Sequence, residues 1–451
     1  MRRLKNLWDR LLFRDKGILP TYTLVIYYTI FLAALVLISF WQFSWLFLGI
    51  TTLVMLGLVA IDAFLLPNRQ QFDVSRQAEE EIERYQEQTI NINIENRTNA
   101  RFAVRFIDDS PRSFQANYPD LQPLAERSQL LLPYQIQPTV RGDYLLDKVY
   151  IRVRSKWGLW ERQLTYSLPN AVQVIPNLAE TKRYLENAQR YLLHEGIKIR
   201  KTRSGEGEFS KVRSYVIGDD PRTINWRQSA KQQELMTNEY EPEHGKYVTI
   251  LIDCGRTMGV ELKESNRLEK TIEASITLAA AALDNGDHVS VIAFSKDIKA
   301  VVPAGRGLEH LHTILHAIYD LTVDAQESNY TLAFQHAQSL QRKRSMMILF
   351  SDMQSFANEN YPLFYMQRVR RKHLFIMLGI KDELLQQQIA SKPVSTLQAM
   401  KKSEAQRQSI SQKEFANKWS KHGLPMLETP RDRLAATAIS HYIDTLNRGL
   451  L

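Results

Sequence analysis

Two carboxylates and two hydroxyls in the second half of this 451-residue chain could bind a metal ion together. Asp253 and Asp352 each follow an apolar run, Thr257 comes four residues after the first carboxylate, and Thr331 opens a predicted helix. Because ligands in parallel sheets lie at the carboxyl ends of the strands, we expect these four residues to converge at one rim. Hard oxygen ligands of this kind suit Mg²⁺. Alternatively, Asp253 and Thr257 only cap the loop and helix that follow them.

A second group of polar residues lies in the segment Gly218-Asp-Asp-Pro-Arg-Thr-Ile-Asn-Trp226 and just before it. One interpretation is charged turns around a single buried tryptophan, with Asp220 capping a short helix. The functional interpretation is a charged network that presents a partner or substrate surface. The residues predicted to form this binding surface are Arg213, Asp219, Asp220, Arg222, Asn225 and Trp226.

The same segment permits an enzyme hypothesis, in which Asp219 and Asp220 act as general acid and base of a hydrolase. Adjacent carboxylates on a turn usually point apart, which disfavours this chemistry. A third hypothesis is a purely structural membrane scaffold.

The elements that must position the candidate metal ligands follow an α/β pattern. From Tyr247 to about residue 380, nearly continuous apolar runs alternate with helical segments. This pattern predicts a doubly wound, largely parallel sheet over residues 247–380. Residues 177–246, which carry the charged segment, precede it, and residues 381–451 are predicted to be a helical C-terminal segment.

Residues 70–176 have the pattern of β-structure. Thr89–Ile94 alternates apolar and polar residues strictly, and several short apolar runs with turn signals follow. This spacing predicts a small β-sandwich-like domain. Pro133 interrupts one of these runs, so we expect that strand to be an edge strand at best.

Two adjacent apolar runs, Thr21–Trp41 and Ser44–Leu66, precede the β-rich segment. Each reaches about the 20 residues that a helix needs to cross a bilayer. Residues 21–66 are therefore predicted to be a transmembrane hairpin with a linker of Gln42 and Phe43. Six basic residues lie in the N-terminal segment 1–20, and Arg69 and Arg76 follow the hairpin. The positive-inside rule then predicts that both termini and the large body are cytoplasmic.

Composition limits the possible partners. The chain has a net charge of +9 and a pI near 9.3, which suits attraction to anionic membrane lipid. It lacks the basic and aromatic pattern of a nucleic-acid reader, so no nucleic-acid partner is expected. A single cysteine, Cys254, excludes an intramolecular disulfide.

The residues of the predicted rim resemble the metal-ion-dependent adhesion site of a von Willebrand factor A domain. That site uses an Asp-x-Ser-x-Ser loop, a distant Thr and a distant Asp, and the matching positions are Asp253, Thr257, Thr331 and Asp352. Gly255 stands where the first Ser of the loop is expected, which removes one hydroxyl ligand. The resemblance implies an A-like fold and a possible Mg²⁺ cofactor.

The segment Gly218–Lys231, placed between a membrane hairpin with a β-rich region and an A-like domain, resembles the DUF58 family of bacterial proteins. With the predicted hairpin, the resemblance implies a multi-pass protein of the bacterial inner membrane, and the family has no firmly assigned activity. It further implies a MoxR-type AAA+ ATPase as partner, in a chaperone-like or complex-assembly role. The leading hypothesis is therefore a membrane-tethered module that binds a protein partner through the rim, and not an enzyme.

Overall fold

A computed structural model of the chain describes residues 17–40, 44–186, 208–241, 245–263, 265–358 and 362–451. The chain divides into two compact units, Met1–Ile175 and Pro176–Leu451, each described here by itself. The six basic residues between positions 2 and 16 lie outside the described residues, and so does the predicted linker Gln42–Phe43.

The first unit contains two apolar helices: α1 (Tyr22–Ser39), capped by Thr21, and α2 (Trp45–Phe64), capped by Ser44. By length and composition α2 could cross a membrane, whereas the apolar part of α1 is shorter. The described part of the chain therefore contains one helix that meets both criteria for a membrane span.

The rest of the first unit is rich in sheet, as predicted. Its strands are β1 (Ile18–Pro20), β2 (Phe72–Gln77), β3 (Glu81–Glu83), β4 (Gln88–Asn96), β5 (Phe102–Asp108), β6 (Phe114–Asn117), β7 (Gln122–Leu124), β8 (Gln129–Pro138), β9 (Gly142–Arg154) and β10 (Trp160–Ile175). One sheet has the order β1-β10-β9-β5-β7 with β3 beside β10, and the other has the order β2-β4-β8-β6. Side chains from both sheets share one hydrophobic core. The alternation in β4 buries Ile90, Ile92 and Ile94 completely.

The expectation that Pro133 limits its strand to a sheet edge is wrong. β8 contains this proline and pairs with β4 on one side and β6 on the other. β6 pairs only with Gln135–Pro138 of β8. At the proline itself, β8 therefore has a neighbouring strand on just one side. The missing N–H is tolerated because the strand is locally an edge.

Arg76 lies in β2 and is buried, so it is not a free charge at the end of the apolar helices. Its guanidinium lies 2.5 Å from the carboxylate of Asp108, and both side chains are fully buried. The same group donates to the carbonyls of Leu146 and Leu168, at 2.7 and 2.8 Å. Tyr134 also donates to Asp108. Of the two basic residues predicted to flank the apolar helices on this side, only Arg69 therefore remains as a flanking charge.

The second unit begins with α3 (Ala179–Glu186) and a two-stranded antiparallel ribbon of β11 (Glu208–Ser214) and β12 (Met236–Glu241). Between the two strands lie a 3₁₀ turn, Pro221–Thr223, and the short helix α4 (Trp226–Gln232). We refer to residues 208–241 as the ribbon module.

A six-stranded sheet forms the centre of this unit, in the order β15-β14-β13-β16-β17-β18. Its strands are β13 (Tyr247–Asp253), β14 (His288–Phe294), β15 (Ile298–Gly305), β16 (Met346–Phe350), β17 (Leu374–Ile380) and β18 (Met426–Thr429). All neighbouring pairs are parallel except β14 with β15. β13 and β16 are buried throughout nearly their whole length, as their apolar sequences require.

Helices surround this sheet. They are α5 (Arg267–Asp284), α6 (Leu308–Ile318), α7 (Tyr330–Leu340), α8 (Met353–Asn358), α9 (Pro362–Lys372), α10 (Glu383–Ala390), α11 (Thr396–Lys421) and α12 (Leu434–Asn447). The C-terminal segment was expected to be helical, but it also supplies β18, which pairs with β17. Four residues are too few for a periodic signal, which is why the sequence pattern did not indicate this strand.

The buried pair in the first unit leads to a stability prediction. We expect Arg76→Met to lower the free energy of unfolding by about 3–5 kcal/mol, because it leaves the Asp108 carboxylate buried without its cation. Chemical denaturation of the full chain in detergent measures this change.

The matched control is Arg97→Met. Arg97 lies 2.5 Å from Asp73, but the two side chains are 55% and 58% exposed. We expect this change to cost at most about 1 kcal/mol. Equal losses in the two variants would contradict a stabilising role of the buried pair.

Candidate functional site

The carboxyl ends of two adjacent strands bring the predicted metal ligands to one edge of the sheet. β13 ends at Asp253, and β16 is followed directly by Ser351 and Asp352. The strands are parallel with Ile252 opposite Phe350, so these residues leave the sheet side by side. We refer to this edge as the rim.

The loop before α7 closes over the rim from the other side. The Arg256 amide donates to the Gln326 carbonyl at 3.0 Å, and the Asn329 amide donates to the Ser295 carbonyl at 2.7 Å. Asn329 also caps α7. The loop is thereby held against the ends of β13 and β14.

Asp253 is completely buried at the centre of the rim. One carboxylate oxygen accepts from the Gly255 amide at 2.8 Å and from the Ser328 hydroxyl. The other accepts from the Tyr330 hydroxyl at 3.0 Å and from the Ser351 hydroxyl. A buried carboxylate is costly without partners, and this one has two donors on each oxygen.

Burial also sets the protonation behaviour of this cluster. It raises the pKa of the Asp253 carboxyl, although its hydrogen bonds act in the opposite direction. Burial, together with the nearby Asp253, raises the pKa of Tyr330 well above its usual range. The tyrosine therefore remains protonated and serves as a donor.

Gly255 leaves room for a hydroxyl that comes from elsewhere in the chain. A Cβ atom at this position would lie 2.0 Å from the Oγ of Ser328, far inside van der Waals contact. The Ser328 hydroxyl thus fills the space that a side chain at 255 would need. The glycine is required by this close approach of the α7 loop.

Asp352 is held by a cation. The guanidinium of Arg267 lies 2.5 Å from its carboxylate, with both side chains about nine-tenths buried. The Ser355 amide and hydroxyl donate to Asp352 at 3.1 and 3.2 Å. The Ser355 hydroxyl also lies 2.9 Å from that of Thr257, which connects the two sides of the rim.

A cavity of about 220 Å³ opens at the rim. Its lining is mostly hydroxyl and charged groups, from Arg256, Thr257, Glu327, Ser328, Tyr330, Asp352, Gln354 and Ser355. Thr331, which is partly exposed one residue into α7, does not line this cavity. The structure brings three of the four predicted ligands, Asp253, Thr257 and Asp352, to the rim. It leaves Thr331 outside the cavity.

The residues as arranged do not fit a resident Mg²⁺ ion. The oxygens of the rim are of the type that Mg²⁺ prefers. The Asp253 oxygens, however, already accept four hydrogen bonds, and Arg267 neutralises Asp352. Binding a metal ion would require displacement of that guanidinium. Mg²⁺ binding stays a prediction.

Two members of the predicted charged network, Arg213 and Asp219, pair within the ribbon module. Arg213 forms two hydrogen bonds of 2.8 Å with the two carboxylate oxygens of Asp219. The Val216 amide donates to the same carboxylate at 2.9 Å. The Arg213 guanidinium beside it is the main reason that the pKa of the Asp219 carboxyl is lowered. Asp219 is thus an ionised group that fixes the turn.

Asp220 and Asn225 shape the backbone that follows. Asp220 accepts from the Arg222 amide at 2.9 Å and caps the 3₁₀ turn, while the Arg222 side chain is exposed. Asn225 caps α4 by accepting from the Gln228 amide at 3.0 Å. Its amide group also donates to the Asn238 side chain at 2.9 Å. These residues hold α4 against β12.

The ribbon module exposes large apolar side chains. Trp226 is 69% exposed and Ile217 is 98% exposed, so the interpretation with a buried tryptophan is wrong. Val216 and Leu235 are also half exposed or more. Several polar side chains form the internal bonds of the module, and these four apolar side chains face solvent. Exposed apolar groups of this kind mark interaction surfaces when they are grouped.

Sequence reasoning missed Ser328, Tyr330, Ser351 and Arg267 as rim residues. The first three lie within three residues of Thr331 or directly beside Asp352, so their neighbours were found. Arg267 and Asp352 are far apart along the chain, so no sequence pattern indicated that they pair.

The close packing of position 255 against the Ser328 hydroxyl can be tested. We expect Gly255→Ser to destabilise the second unit by about 1–3 kcal/mol, because the new side chain collides with the Ser328 hydroxyl. Ser328→Gly removes the colliding hydroxyl but also one donor to Asp253. Gly255→Ser should therefore cost much less in a Ser328→Gly background than it does alone. Thermal unfolding of both single variants and the double variant measures this, and an equal cost of Gly255→Ser in the two backgrounds would contradict the close packing.

Known proteins resemble parts of this chain. YeaD of Bacillus subtilis (strain 168), described as an uncharacterized protein, is 23% identical over 205 residues, which are 45% of this chain and 48% of YeaD. The chain thus spans about half the length of this curated relative.

Two solved structures also match. The conserved hypothetical protein BatB from Bacteroides thetaiotaomicron is 17% identical, with a TM-score of 0.31, over 45% of this chain and 100% of BatB. The PapD-like domain 7 of human CEP192 is 12% identical, with a TM-score of 0.19, over 24% of this chain and 89% of that domain. Residues 211–415, which contain most of the ribbon module and the whole rim, match the family described as "Protein of unknown function DUF58".

Proposed function

We propose that this chain is a membrane-anchored protein-interaction module or adaptor, and that the ribbon module binds a protein partner. The observation that carries the proposal is the exposure of Ile217 and Trp226, 98% and 69%, on a hydrogen-bonded frame. Tryptophan is enriched among the residues that dominate binding energy at protein interfaces. A frame that is already ordered reduces the entropy lost on binding.

The anchor in this proposal is the pair of apolar helices α1 and α2, both crossing the bacterial inner membrane. The six basic residues before α1 and Arg69 after α2 favour a cytoplasmic body and cytoplasmic termini. A von Willebrand factor A-like fold is proposed for the α/β sheet, and its support is that three of the four predicted ligand positions, Asp253, Thr257 and Asp352, lie at one rim. A MoxR-type AAA+ ATPase is the proposed partner, on the basis of the sequence resemblance.

The hydrolase alternative has less support. General acid–base catalysis needs carboxyl groups that are free to exchange protons with a substrate. Asp219 is held by Arg213 in two hydrogen bonds, and Asp220 accepts from the Arg222 amide. The scaffold alternative leaves the exposed Ile217 and Trp226 without a role.

The rim is a second candidate contact surface for the same function. Its polar cavity could receive a hydrogen-bonding side chain of a partner, next to the hydroxyl groups of Thr257 and Ser355. A contact of this kind does not depend on a bound metal ion. Metal-dependent binding remains the alternative that the resemblance implies.

Binding measurements on the full chain in nanodiscs test the proposal. We expect Ile217→Asp and Trp226→Ala each to weaken binding of a MoxR-type ATPase from the same cell at least about tenfold, as loss of a central interface residue does. Surface immobilisation of the nanodisc allows the dissociation constant to be measured for each variant.

Val394→Asp is the matched control, because Val394 is 90% exposed but lies outside the ribbon module. It should bind as the unaltered chain does. If the two ribbon variants also bind with unaltered affinity, the ribbon module is not the binding surface.

A further inference from the structure

The turn between β9 and β10 is bonded to the last turns of α2. The Asp62 side chain is completely buried, and its carboxylate accepts from the Ser155 hydroxyl at 2.6 Å. It also accepts from the amides of Trp157 and Leu159, at 3.3 and 3.2 Å. An acidic residue in an apolar helix is costly without partners, and these donors offset that cost. We refer to Ser155–Leu159 as the docking turn.

The docking turn also contacts the first turn of α1. The Thr21 amide and hydroxyl donate to the Leu159 carbonyl at 3.0 and 2.9 Å. The Thr23 hydroxyl donates to the Gly158 carbonyl at 2.6 Å. The start of α1 and the end of α2 therefore meet at the same turn, and β-structure continues from it.

The position of these contacts along α2 sets the depth at which the docking turn lies when α2 crosses a bilayer. With a rise of 1.5 Å per residue, Asp62 lies about 3 Å and Val59 about 8 Å inside the helix end at Phe64. The indole N–H of Trp160 donates to the Val59 carbonyl at 2.9 Å. A helix of this length just spans about 30 Å of hydrocarbon, so these residues lie at the level where hydrocarbon meets headgroups.

The side chains that the docking turn leaves exposed suit that level. Trp157 is 47% exposed and Lys156 is exposed beside it. Tryptophan prefers the membrane interface, and lysine extends its ammonium group from there toward headgroup phosphates. Arg162 lies close by, since it donates to the Pro67 carbonyl at 3.1 Å just beyond α2.

We propose that the docking turn is a lipid-contacting surface, with Trp157 in the interfacial layer of the bilayer and Lys156 at the phosphates. This proposal rests on the membrane anchoring proposed above. The two apolar helices and the turn then form one membrane-contacting unit, so the sheet region is fixed at the bilayer surface and does not hang on a free linker.

Spin-label depth measurements on the full chain test this proposal. The natural Cys254 is buried and is replaced by Ala, so that one introduced cysteine carries the nitroxide. The chain is reconstituted into phosphatidylethanolamine–phosphatidylglycerol vesicles with a label at Lys156→Cys, which leaves Trp157 in place. Collisions with oxygen and with a water-soluble nickel chelate then report the depth of the label.

Two further labels serve as controls. Val140→Cys lies beyond the opposite end of β9, about 40 Å along the strand from the docking turn, and is 54% exposed. Leu53→Cys lies in the middle of α2 and is 71% exposed.

We expect the label at 156 to be severalfold less accessible to the chelate than the label at 140, with the label at 53 deepest. A label at 156 that is as accessible as the label at 140, while 53 is deep, overturns the lipid contact and leaves the anchoring intact. Free chelate access at 53 overturns the anchoring and the lipid contact together.

Discussion

The burial of one carboxylate constrains the rim of the second unit. Asp253 is removed from water at the end of a central strand, so its two oxygens need donors from the protein. The donors come from its own loop, from the segment before α7 and from the end of β16. Three chain segments distant in sequence are thereby held at fixed positions around one point, and the cavity lies beside it.

The same requirement explains two other features of the chain. The Asp62 carboxylate at the end of α2 is buried with three donors, which joins the apolar helices to the sheet region. In the ribbon module, Arg213 and Asp219 fix a surface turn. In each case a carboxylate with several donors orders a loop. In the ribbon module, ordering the loop presents apolar side chains to solvent, which is why we assign binding to that surface.

Much of the fold could be predicted from apolar periodicity. The alternation around Ile90 and Ile94 predicted a sheet-rich N-terminal region. The continuous apolar run before Asp253 predicted a largely parallel sheet. Hydrogen-bond partners were harder to predict. Successive helix residues differ in direction by about 100°, so a shift of one residue decided that Tyr330, and not Thr331, points to Asp253. Exposure of Trp226 could not be read from composition, because tryptophan is buried in most contexts.

The most direct test of the account is site-specific photocrosslinking in the native membrane. A photoreactive phenylalanine analogue at Ile217 in the full chain is compared with the same analogue at Val394, both nearly fully exposed. We expect one discrete protein adduct from position 217 and none of that size from position 394. The same adduct from both positions, or adducts with lipid alone from 217, would contradict the assignment of the ribbon module as a protein-binding surface.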